Sequence, residues 1–475
     1  MQVNKFGIWI KNNLFSLCGI AVLVVWGVIF HYWTPVTPIY VNEWAPTYLP
    51  WMGVISLLCL AIPVILYVCS REYREQRWTQ QVVLMSIAMM LGAIIHRPRV
   101  FLDVQNLFFV CTLVAFFCDR PLRVHRPPLF YFAFWIYFIW QAITMLWTTN
   151  MSEAMIYFNR LVPVAAYPIA FWLIHMDDRS YRSLILLFWR VTCIGCILSL
   201  VCWMYEMQRM NLNISEFLTF GKHTFNEIFA FDILYAWSGN EHPTFNALWL
   251  LGGLACSFFL VDKKRLSLFE AAISWLLVIA VIYLSQSRVG LVTYTVVGAS
   301  GILYLLRHRR ALFYTTLATM VLGAMIIAVT QIDGIRAFYA DPTRDGLMQV
   351  TTDYLRIDPW KGCGIGGTTF DYISSVIGYE FKSWWPWWDN VSMYPHNQFL
   401  GDWVQAGIVG LVLMCLNMVS LFYECYRQRS FLAFIFCVAV LIIMQIEMPL
   451  HILSGSTIIA FLTCFFLCRH LPNDR

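Results

Sequence analysis

Mostly apolar runs of about 17 to 24 residues recur along this chain, and few folds can accommodate them. A helix of that length rises about 1.5 Å per residue and crosses roughly 30 Å of hydrocarbon. Inside hydrocarbon every backbone N–H and C=O must be satisfied within the segment, so such runs are helical. Spans are expected near residues 13–33, 50–70, 79–96, 101–118, 128–148, 154–176, 183–204, 243–261, 267–286, 289–306, 311–330, 398–421, 430–446 and 450–468. Only 12% of the 475 residues are charged, against about 25% in a soluble domain. The first run is too long for a signal-peptide core and reads as a span. The pattern predicts an all-α polytopic membrane protein of about 12–14 transmembrane helices.

The formal net charge of +5 says less than its distribution. Lys5 and Lys11 lie on one side of the expected topology with Arg71, Arg74 and Arg77. Arg120, Arg123 and Arg126 join them, as do Arg179 and Arg182, Lys263 to Arg265, Arg307, Arg309 and Arg310, Arg427 and Arg429, and Arg469 and Arg475. That is 20 of the 32 basic residues, in short connections and tails. By the positive-inside rule that side is cytoplasmic, and both termini with it.

Two connections on the opposite side are long, from about residue 205 to 242 and from about 331 to 395. The second is too long for a plain connector and is expected to carry function. It reads as helical over 336–339 and 347–355, then turns through DPWKGCGIGGTTF. The chain therefore divides into N-terminal helices (1–240), helices carrying the sequence SQSR (241–330), an outer loop (331–396) and C-terminal helices (397–475). No internal repeat is visible, which argues against a transporter built from repeated halves. Nearly all 15 cysteines lie in or beside spans, as apolar packing residues do.

Three stretches could carry chemistry on the outer side. In SQSRVGLV, Arg288 stands where two spans meet with almost no loop. A cation at that depth is costly and needs a partner or a task; the neighbouring Ser285, Gln286 and Ser287 suit an anion site better than a snorkelling anchor. A guanidinium bonds two phosphate oxygens at once and keeps its charge. The glycines Gly362, Gly364 and Gly366 could present backbone N–H groups to phosphate, or simply form a turn. In YPHNQFLGDW, His396 precedes a span whose entrance is marked by Pro395 and Asn397. The positive end of a helix favours a bound anion and a neutral imidazole, which can accept a hydroxyl proton. Trp384, Trp385, Trp387 and Trp388 crowd the same loop. They read equally as an interfacial belt and as stacking faces for sugar rings. No D-x-D motif for a metal-held nucleotide sugar occurs, and the first outer loop offers a single carboxylate, Glu43.

Ser285-Gln286-Ser287-Arg288-x-Gly290, then Pro359-x-x-Gly362-x-Gly364-x-Gly366, then His396-Asn397-x-x-Leu400 occur in that order. With the long outer loop before the histidine, this order resembles the O-antigen ligase and polymerase superfamily over roughly residues 240–425. The resemblance implies a C-type glycosyltransferase architecture and a site open to the periplasm of a bacterial inner membrane. It implies a glycan donor on undecaprenyl diphosphate, an acceptor hydroxyl on lipid A core or on a growing glycan, and neither metal nor cofactor. It also implies that Arg288 holds the diphosphate and His396 activates the acceptor. Many ligases carry a second arginine just before the segment matching Gly239–Leu250; this chain has none there, which leaves Arg209, Lys222 and Arg160 as candidates for the second cation. Ligase and polymerase share these motifs, and both functions are expected alternatives.

Overall fold

The structure, a computed structural model, describes residues 13–24, 78–94, 98–118, 127–148, 150–174, 176–209, 243–330, 342–367 and 395–468. The expected span at 50–70 and most of the loop from 205 to 242 lie outside the described residues. In chain order the α-helices are α1 (Asn13–Val24), α2 (Trp78–Ala93), α3 (Pro98–Cys118), α4 (Leu129–Thr144), α5 (Met151–Leu173), α6 (Asp178–Arg209) and α7 (Pro243–Asp262). There follow α8 (Leu268–Leu284), α9 (Arg288–Leu306), α10 (Arg310–Thr330), α11 (Pro342–Ile357), α12 (Gln398–Arg427), α13 (Phe431–Met444) and α14 (Leu453–Leu467). Short 3-10 turns occupy Met145–Trp147 and Pro449–His451. Among the described residues there is no strand. Six helical stretches, Leu129–Trp147, Met151–Leu173, Asp178–Val201, Pro243–Asp262, Arg288–Leu306 and Gln398–Arg427, are long and apolar enough to cross a membrane. The protein is an all-α, multi-pass membrane protein.

Helix ends follow local chemistry. Ser267 and Glu270 form a reciprocal capping box that starts α8, satisfying two backbone donors that the first turn leaves open. Ser287 Oγ accepts the Gly290 N–H at 3.1 Å and opens α9. Between those helices only residues 285–287 turn the chain, as the sequence suggested, and Gln286 does so at a φ of 55°.

The chain divides into two compact units. The first comprises Met1–His125, Ala170–Tyr294 and Cys468–Arg475; the second comprises Arg126–Ile169 and Thr295–Leu467. In the first, α7 is buried almost throughout and packs on α6 and α8. Glycines set the close approaches there: a Cβ at Gly92 would lie 2.2 Å from the Gly19 carbonyl oxygen, and one at Gly253 would lie 2.0 Å from Thr192 Oγ1. Small residues at such crossings let membrane helices meet backbone to backbone.

In the second unit, α12 packs against α4, α11 and α13, and α13 against α14. The amphipathic α11 lies in the long loop, as the sequence predicts for 347–355, and turns Leu347, Thr351 and Leu355 inward. Leu355 joins Cys363 and Val404 in one buried cluster, with Tyr354, Leu400 and Trp403 packed on it. The connections expected on the outer side meet one another: Ile365 N–H donates to Thr144 Oγ1 at 3.2 Å, and Arg344 reaches Glu447. At the other end Gln428 Nε2 donates to the Leu467 carbonyl at 3.1 Å, and Tyr304 stacks on Phe431 at 3.6 Å between ring centroids.

Candidate active site

His396 sits at a φ of 48°, a left-handed conformation uncommon outside glycine. Its neighbours fix it there. Pro395 is buried before it, and Asn397 caps α12 by accepting the N–H groups of Phe399 at 3.0 Å and Leu400 at 3.1 Å. Strained backbone of this kind persists where surrounding contacts over-determine it, and it collects at functional sites.

The imidazole has a specific partner. His396 Nδ1 lies 3.0 Å from Glu447 Oε2, while Arg344 Nη2 donates to Glu447 Oε1 at 3.0 Å. The Glu447 side chain is only 4% exposed, His396 30% and Arg344 35%, so the carboxylate is buried behind two groups that reach solvent. A carboxylate paired with a guanidinium is an acceptor only, so Nδ1 carries the proton and donates it. In the neutral ring Nε2 is then the acceptor nitrogen, the form that a general base needs.

Beneath this pair lies a polar cluster in otherwise apolar surroundings. Asp402, fully buried, accepts on Oδ1 from Tyr137 Oη at 2.8 Å and from Gln141 Nε2 at 3.2 Å. Gln398 Nε2 donates to Oδ2 at 3.1 Å. His451 Nε2 stands 3.4 Å from Oδ1. An unpaired buried carboxylate would be expensive, and these donors are what makes it tolerable inside a span.

The glycine segment docks into a break in α12. Gly407 has φ 67° and ψ −169°, which interrupts the helix. The interruption releases the Val404 and Gln405 carbonyls, which accept the N–H groups of Cys363 at 3.0 Å and Gly364 at 2.9 Å. Ile408 N–H donates back to the Trp360 carbonyl at 3.3 Å. Gly362, Gly364 and Gly366 all have positive φ. A Cβ on Gly362 would lie 2.6 Å from Gly407 N, and one on Gly366 2.4 Å from Ala154 N. These glycines therefore allow backbone to lie on backbone, and the N–H groups of Cys363, Gly364, Ile365 and Gly367 are engaged by protein acceptors. The segment is a packed turn rather than an open cradle for phosphate.

The remaining expected residues are distributed as follows. Arg288 is the first residue of α9, partly exposed, in the first unit, whereas His396 is in the second. Arg160 donates Nη1–H to the His451 carbonyl at 3.2 Å and lies 5.2 Å from the centroid of the Tyr157 ring; it clamps a connection. Arg209 ends α6. Lys222 and the tryptophans 384, 385, 387 and 388 lie outside the described residues. Glu447, Arg344, Asp402 and His451 were not singled out by the sequence reading. Their signal was present, since Asp402, Glu447 and His451 interrupt apolar runs, where an ionisable residue is functional or paired by default.

Residues 272–415 match the family described as O-antigen ligase. That stretch takes in Arg288, Arg344, the glycine segment, His396 and Asp402, while Glu447 follows it. A search against curated proteins gave no match. Over residues 272–415 the chain is similar to the O-antigen ligase family, which supports the resemblance to the O-antigen ligase and polymerase superfamily.

Proposed function

We infer that this protein is an O-antigen ligase-like glycosyltransferase that moves a glycan from undecaprenyl diphosphate to a hydroxyl of lipid A core, on the periplasmic face of a bacterial inner membrane. The observation that carries the reading is the His396–Glu447–Arg344 constellation at the outer mouth of α12, with its histidine inside the family-matched stretch. The acceptor oxygen bonds to the anomeric carbon as the bond from that carbon to the phosphate oxygen breaks. Undecaprenyl diphosphate leaves with the bonding electrons, and the acceptor proton passes to His396 Nε2. Glu447 stabilises the imidazolium that forms. The leaving diphosphate is already a weak base, so cations suffice in place of a general acid. Arg288 is assigned to hold it in bidentate fashion.

For the second cation, geometry favours Arg344 over Arg160, whose guanidinium is engaged at the His451 carbonyl. Arg344 shares Glu447 with His396, and a guanidinium has donors enough to serve a carboxylate and a phosphate together. Trp384, Trp385, Trp387 and Trp388 would stack on the sugar rings. No step in this scheme calls for a metal or a cofactor.

The test is purified protein with a lipid-linked glycan and an acceptor, in EDTA. Wild-type protein should transfer glycan. His396→Ala should lose on the order of 10²–10⁴ in turnover while donor binding is retained. A folded alanine variant with wild-type turnover removes His396 from the chemistry. The acceptor is decided by lipopolysaccharide banding in a deletion strain: uncapped core with accumulated long polymer supports a ligase, and core bearing single repeats indicates a polymerase.

A further inference from the structure

Three consecutive residues at the mouth of α12 each grip a different point of the connection between α13 and α14. His396 pairs with Glu447 at 3.0 Å. Asn397 donates Nδ2–H to the Gln445 carbonyl at 3.0 Å. Gln398 accepts the Leu450 N–H on Oε1 at 3.0 Å. The first two side chains are partly open to solvent, but Gln398 is fully buried, and Leu450 is 4% exposed. Gln398 is also held from below, because its amide donates to Asp402 Oδ2 and cannot turn over without losing both bonds. Asp402 is in turn fixed by Tyr137 and Gln141 from α4. Arg160 secures the far end of the connection at the His451 carbonyl.

We propose that Gln398, braced by Asp402, is a positioning residue that fixes the 445–452 connection so that the Glu447 carboxylate stays on His396 Nδ1. This inference rests on the reading of His396 as the base of glycosyl transfer. The Glu447 carboxylate decides which imidazole nitrogen carries the proton and where Nε2 points. Displacing it by about 1 Å misaligns the base with the acceptor, and misplacement on that scale costs about 10²-fold in rate. The donor lipid, held through its phosphates, does not depend on that alignment. Gln398 therefore acts on turnover rather than on donor binding.

The test uses the full-length purified enzyme and a double-mutant cycle. Gln398→Met is close to isosteric and removes both hydrogen bonds. Its kcat should fall roughly ten- to hundredfold, with the donor KM within about twofold. Because Gln398 acts through Glu447, adding Gln398→Met to Glu447→Gln should cost little beyond Glu447→Gln alone. Wild-type kcat in a folded Gln398→Met protein overturns the proposal, and so do losses that multiply in the double variant.

Should Gln398→Met not give monodisperse protein, Gln398→Asn decides. It keeps the amide but is one methylene shorter, so it cannot reach the Leu450 N–H and Asp402 Oδ2 together. Its kcat should fall roughly tenfold with the donor KM within about twofold, and wild-type kcat overturns the proposal. Wild-type protein that transfers no glycan defeats the functional reading itself. Wild-type transfer with an unimpaired Gln398→Met defeats this inference alone.

Discussion

His396 and Glu447 are 51 positions apart in the chain and 3.0 Å apart in space, and that contact sets the chemistry expected of the imidazole. Glu447→Gln separates charge from hydrogen bonding. Its amide oxygen can still accept the Nδ1 proton, but it offers nothing to stabilise an imidazolium, and Arg344 loses its counter-charge. Turnover of purified Glu447→Gln should drop about 10- to 100-fold, within the range for a positioned proton-transfer group. Wild-type turnover would detach Glu447 from the reaction. His396 and Arg288 were singled out from the sequence because each stands beside polar neighbours at the edge of an apolar run. Glu447 and Arg344 were not, because their roles arise from pairings across 51 and 103 residues. No spacing within one helix reveals such a pairing.

At the scale of elements, most helices fell where apolar run length put them, since the bilayer leaves few other solutions. The break in α12 was hidden: nothing in the periodicity of the run from 398 onward marks Gly407 as an interruption. The glycines of the outer loop read as a phosphate cradle or a turn, because the groups that engage their N–H donors come from α12 and α4. Two glycines provide a direct contrast. A Cβ at Gly407 would lie 2.1 Å from the Trp360 carbonyl oxygen, in backbone at φ 67°. Gly407→Ala should therefore cost more than about 3 kcal/mol, from steric overlap and from a conformation closed to alanine. It should appear as lost folded protein or a strongly lowered Tm in detergent. In α10, a Cβ at Gly323 meets nothing within 4 Å. Gly323→Ala should leave Tm unchanged or raise it, by up to about 1 kcal/mol of helix propensity. Equal behaviour of the two variants would contradict the break.

For the molecule as a whole, sidedness is the property that the proposed function depends on. The connections holding Thr144, Arg344, the glycine segment and Glu447 gather together, and the C-terminal ends of α12 and α14 meet elsewhere. An acidic side chain on α11, Asp353, is 55% exposed, which makes it a reporter of the outer face. Asp353→Cys should react with a membrane-impermeant thiol reagent in cells whose outer barrier alone has been opened. Reaction only after lysis would invert the topology and remove the periplasmic site. α10 turns Leu312, Leu317, Leu322, Met325 and Ile326 outward, as a helix bathed in lipid would.

The docking of the glycine segment into α12 also has a kinetic side. The amides of Cys363 and Gly364 close onto carbonyls of the span, and the amide of Ile408 closes onto the loop. None of the three can exchange its hydrogen with deuterated solvent unless loop and span part company. They belong to a single cooperative opening, whose free energy is shared by an extramembrane turn and a buried helix. Slow exchange would therefore extend out of the bilayer into the loop, so that the protection of Cys363 and Gly364 measures the integrity of the helix that carries His396.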